Sequence, residues 1–153
     1  MQAIRLPAVL LGAAALALAA PACAQALRAE EVAARANAAL EAAPVFDGHN
    51  DVPNQLRDRF ANRLADFDFT DTSATGASHP DGRAMHTDLA RLRQGRVGAQ
   101  FWSVYVPATA NEAEAVRQVL EQIDVTRRLI DRYPDDLQFA TTADEVERAM
   151  MQG

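Results

Sequence analysis

The chain has 153 residues, which suits one small domain or part of a larger one. A composition that is 49% hydrophobic and 24% charged excludes a mainly disordered polypeptide. The net charge of −6, with Arg as the only strongly basic residue, argues against nucleic acid or an anionic membrane surface as the main partner, and a single cysteine excludes an intrachain disulfide framework or a CxxC metal site.

The first element is an export signal over residues 1–24. Arg5 supplies a basic start, and Ala8 to Ala20 is unbroken Ala, Leu, Val and Gly. That run is shorter than the roughly 20 apolar residues a spanning helix needs. Ala22 and Ala24 stand at the small-residue positions of a cleavage site, so the spacing predicts a secretory signal peptide cut after Ala24. The expectation is an exported protein, periplasmic or secreted, with no transmembrane span after cleavage. A lipid anchor through Cys23 is the minor alternative, weakened by Ala20 where such signals favour Leu.

Residues 25–43 read as an N-terminal helical segment. Val32, Ala36, Ala39 and Leu40 recur at helical spacing from Leu27 to Ala43, and Pro44 ends the pattern. Val45 to Asp47 predicts a short strand that runs into a loop through Pro53, since proline cannot donate to a ladder. A short helix over Gln55 to Leu64 and a long polar loop over Asp66 to Met85 follow, and a loop of that length is often functional. Thr87 is the expected cap of a helix from Asp88 to Gln94, with Gly95 as a left-handed stop. Val97 to Val106, reading VGAQFWSVYV, predicts a strand covered on both faces. Asn111 is placed to cap a helix whose stripe includes Val116, Val119, Leu120, Ile123, Leu129, Ile130 and Tyr133, with Asp124 and Arg128 paired at i, i+4. Pro134 ends it. Leu137 to Thr141 reads as a third strand, and Thr142 with Glu145 as a capping box for a last helix. Strands alternating with helices imply an α/β fold with parallel strands. Three strands close no barrel, so residues 44–153 are expected to be the first βα units of a larger domain.

Few side chains suggest chemistry. His49 and Asp51 form an H-x-D pair, and side chains two apart on a strand point the same way. An imidazole nitrogen and a carboxylate oxygen can then meet one cation, and both suit zinc. Asp47 could hold the imidazole from behind. The pattern by itself more often marks a surface turn or a strand-end hydrogen bond. His79 and His86 read as solvated loop histidines, and Trp102 and Tyr105 as core. Ser103 has no base near it in sequence, and Gly95 with Gly98 lacks the helix a phosphate loop needs. The Arg91–Arg93 and Arg127–Arg128 groups read as solvated faces or ion-pair partners.

Two stretches resemble the membrane dipeptidase (renal dipeptidase) family of zinc metallopeptidases. One is Asp47-Gly48-His49-Asn50-Asp51-Val52-Pro53. The other runs from Thr87 to Gly95 and on through Val97 to Pro107, and the segment from Asp144 to Gly153 is similar too. The resemblance implies a (β/α)8 barrel with two zinc ions at the C-terminal ends of its strands, of which only the N-terminal part is present here. It implies that His49 and Asp51 ligate one zinc, and that zinc-dependent hydrolysis of a dipeptide is the activity of the full-length protein. A homodimer of that protein is left open. A later bridging glutamate, two further histidines and a basic substrate-binding residue of the family have no counterpart here, and Asn54 stands where many relatives carry an aromatic or apolar residue. This chain is therefore expected to be inactive alone. The alternative is a non-catalytic exported binding protein on a dipeptidase-like scaffold.

Overall fold

The computed structural model describes residues 28–152; the expected signal peptide over 1–24, Cys23 included, lies outside the described residues. Helix α1 spans Ala29–Ala42 and buries none of its residues. Strand β1, Val45–Asn50, runs straight from it and is longer than the sequence suggests, so His49 belongs to the strand. Helix α2, Val52–Phe60, begins where a loop was expected. Pro53 causes this: in the first turn of a helix its missing N–H costs nothing and its fixed φ is already helical. Leu64, expected at the end of that helix, starts a separate 3-10 turn, Leu64–Asp66.

Helix α3, Leu89–Gln94, is capped by Asp88 rather than Thr87, because the Asp88 carboxylate accepts the Arg91 N–H at 2.8 Å. Gly95 keeps a right-handed conformation, and the left-handed residue after this helix is Arg96 with φ 53°. Strand β2, Val97–Trp102, is four residues shorter than expected, and neither face is fully covered. Helix α4, Glu112–Arg132, is capped by Asn111, whose side chain accepts the Glu114 N–H at 3.0 Å. Helix α5, Ala143–Gln152, has the expected capping box: Glu145 accepts from the Thr142 N–H, and Thr142 Oγ1 accepts from the Glu145 N–H. The expected strand at Leu137–Thr141 does not form. No described strand offers it a ladder, and a strand without a partner leaves its own N–H and C=O groups to solvent.

The two strands pair in parallel, so the α/β reading holds with a two-stranded sheet among the described residues. Their register is irregular. Asp47 faces Gln100 and Asn50 faces Trp102, which leaves Gly48 and His49 opposite the single residue Phe101. Such a bulge bends the strand and redirects a side chain.

The core lies beside the sheet, not on both of its faces. Val52 and Leu56 of α2, Leu89 of α3, and Val125 and Leu129 of α4 meet Leu64, Phe67, Phe69 and Met85 from the long connection. That connection is rich in Asp, Thr and Ser, yet Phe69 is its largest fully buried side chain, packed edge-on against Trp102 and Tyr133. The apolar stripe expected on α4 is split: Leu129 is buried, whereas Val116, Leu120 and Ile123 are exposed. Tyr105, expected in the core, is 54% exposed. Among the described residues no helix is long and apolar enough to cross a membrane.

Candidate metal centre

The C-terminal end of β1 and the first turn of α2 form one wall of a groove of about 340 Å³. His49 and Asp51 stand on that wall, with Gln55; Arg83, His86 and Thr87 stand opposite. The structure brings His49 and Asp51 together, though not as two residues of one strand. Asp51 lies past the strand, at the N-cap of α2 with φ −100° and ψ 26°, and its carboxylate caps nothing. The bulge at Gly48–His49 and this turn place His49 Nε2 at 3.3 Å from Asp51 Oδ1. Both side chains are well exposed, at 69% and 48%.

That separation tests the fit of a cation. Two donors at about 2.1 Å from one tetrahedral zinc lie about 3.4 Å apart. The pair therefore has the bite of a shared ion, one neutral nitrogen and one anionic oxygen, with open space in front of it. Two donors form half of a tetrahedral set. Among the described residues no three His, Cys, Asp or Glu side chains gather closely enough to hold a metal.

Asp47 does not hold the imidazole. Its Oδ1 accepts the backbone N–H of His49 at 3.2 Å, and its Oδ2 accepts from Gln100 Nε2 at 2.7 Å. The His49 N–H, aided by the Gln100 amide, holds the Asp47 carboxyl below the usual carboxylate range. Gln100 Oε1 in turn accepts from the Trp102 indole at 2.9 Å. Asn50 closes the other side by donating from Nδ2 to Thr87 Oγ1 at 3.0 Å. Gln100 and Asn50 did not stand out in the sequence. The one signal for Gln100 was an amide inside the otherwise apolar VGAQFWSVYV.

The remaining candidates resolve by contact. His79 Nδ1 lies 2.8 Å from Asp81 Oδ1 within its own loop, and His86 lines the groove without reaching His49 and Asp51 closely enough to share an ion. Ser103 uses its N–H to extend the ladder to Asn50 at 2.8 Å. Gly98 is where α5 crosses β2: a Cβ there would stand 3.0 Å or less from Met150 and Pro44. Arg128 pairs with Asp124 at 2.8 Å, Arg127 lies over the Phe139 ring, and the exposed Arg91 pairs with the buried Asp88 carboxylate.

Residues 33–153 match the family described as Membrane dipeptidase (Peptidase family M19). The chain is 46% identical over 101 residues to the rat (Rattus norvegicus) protein named Dipeptidase 3, and 44% identical over 101 residues to its mouse (Mus musculus) counterpart. Each alignment covers 66% of this chain and 18% of the relative, so the chain corresponds to less than a fifth of these relatives' length.

Proposed function

Because the chain belongs to the membrane dipeptidase family, we propose that it supplies the first metal ligands of an exported metallodipeptidase, with His49 and Asp51 as those ligands and a dipeptide as the substrate. The observation that carries this reading is the 3.3 Å approach of the His49 imidazole to the Asp51 carboxylate at the mouth of a groove. The pair lies inside the matched segment, at the C-terminal end of a parallel strand. In (β/α)8 barrels that is the end where catalytic residues stand, and we read β1 and β2 as the first strands of such a barrel.

When bound, zinc supplies Lewis-acid polarisation of the scissile carbonyl. This chain's own contributions are to bind and to orient. His49 gives an uncharged nitrogen, so the ring must be neutral to ligate. Asp51 gives a negative charge that offsets part of the cation's. The groove between α2 and the Asp81–Thr87 segment is the natural path for a short peptide, with the Gln55 amide and the Arg83 guanidinium as part of its polar lining.

The test is metal analysis and dipeptide turnover of the full-length protein that carries this segment. About two zinc ions per chain are expected, with turnover lost in His49→Ala and Asp51→Asn. A metal-free protein without turnover would instead support a non-catalytic binding protein on the same scaffold.

A further inference from the structure

A line of hydrogen bonds runs across the sheet from the chain's one tryptophan to the backbone of His49. Trp102 Nε1 donates to Gln100 Oε1 at 2.9 Å, Gln100 Nε2 donates to Asp47 Oδ2 at 2.7 Å, and Asp47 Oδ1 accepts the His49 N–H at 3.2 Å. Each step constrains the next. The Trp102 ring packs edge-on against the buried Phe69, which fixes where its N–H points. An amide whose oxygen takes that N–H must turn its NH2 the other way, toward Asp47, its register partner on β1. Asp47, held there, takes the N–H that the bulge removes from the ladder.

The bulge is what aims His49. With the Asp47–His49 bond lost, an exposed two-residue bulge has water as an equal partner and no reason to keep one conformation. We propose that Gln100 is a positioning residue for the metal ligand His49, acting through Asp47 and itself set by Trp102. This rests on His49 being a ligand. Ligand-orienting groups of this kind usually sit on the far ring nitrogen of the histidine; here the control acts on the backbone of the ligand instead.

The experiment is a titration of the isotope-labelled native chain with zinc chloride, followed by NMR at His49, Asp51 and the unique indole N–H. In the native chain the two ligand residues shift together, and the indole resonance shifts with them. Gln100→Met keeps the side-chain volume and removes both hydrogen bonds of the amide. It is expected to weaken zinc binding at His49 by about tenfold and to remove the indole response. Trp102→Phe keeps the ring packing, removes only the first bond, and gives a smaller loss in the same direction; it carries the test if Gln100→Met does not fold. Asn111→Ala, which removes the cap of α4 outside the groove lining, lowers stability without changing the zinc affinity of the folded chain. Native affinity in both relay variants overturns the positioning role. Silence of His49 and Asp51 in the native titration overturns the ligand reading itself, and this inference with it, before any variant is made.

Discussion

Asp88 is 1% exposed, and its carboxylate is surrounded by donors: the N–H groups of Arg91 and Thr72 at 2.8 and 3.0 Å, and the Arg91 guanidinium at 2.6 and 2.9 Å. Burial raises its pKa; the Arg91 side chain and the two N–H groups outweigh that and bring it down to about 2. A carboxyl whose folded pKa lies below its unfolded value of about 3.9 stabilises the fold above the unfolded value, and the contribution is lost as pH falls through the folded one. Asp88 should therefore be one source of acid lability between about pH 4 and pH 2. Asp88→Asn is expected to cost about 2 kcal/mol at pH 7, the loss of a charged cap and of the bonds to Thr72 and Arg91, and much less at pH 2. Denaturant melts of both proteins at the two pH values measure this. An Asn variant whose deficit is the same at both would refute it. The sequence places the cap at Thr87 and Asp88 inside the first turn, one residue away from what forms. What selects Asp88 is Thr72, sixteen residues upstream, and no local pattern contains that contact.

Helix α2 ends at Ala61 with φ 49° and ψ 39°, and Asn62 follows at φ 60°. Left-handed backbone costs an alanine about 1 kcal/mol through its Cβ, and glycine is the usual occupant of this place after a helix. Ala61→Gly is expected to raise stability by about 0.5 kcal/mol, because glycine's greater freedom in the unfolded chain offsets part of the gain. A thermal melt decides it, and a lowered melting temperature would count against this account of the helix end. The comparison of sequence with structure divides along the same line between local and distant causes. The Asn111 cap, the Thr142–Glu145 box and the Asp124–Arg128 pair were legible because each is complete within four residues. The strand expected at Leu137–Thr141 fails to form, since a strand exists only through a ladder partner, and apolar spacing says nothing about where one is. Phe67 and Phe69 were lost in a segment that reads as a polar loop. Their burial depends on Trp102, Tyr133 and Phe60 arriving from three other elements. At the site, the H-x-D pair was visible as residue types, but the bulge that brings its two side chains together is a property of two strands in register.

For the molecule as a whole, the question is how much chemistry two ligands can support. Outside the described residues the sequence holds no His, Asp or Glu, and Cys23 is its one thiol. Among the described residues, His79 is engaged with Asp81, and no cluster of three metal-binding side chains exists. A catalytic zinc site takes three protein ligands and keeps one position for water. The exposure of His49 and Asp51 also leaves the cation in bulk-like solvent, where charge stabilisation of a transition state is weakest. This chain, saturated with zinc, is therefore expected to hydrolyse a simple dipeptide no faster than the same concentration of zinc in buffer. Release of free amino acid, followed with the native chain, His49→Ala and zinc alone, makes the comparison direct. Turnover by the native chain above the zinc control, and lost in His49→Ala, would show that the pair recruits its missing donors from within these residues. Equal rates in all three bear out that two donors by themselves support no catalysis.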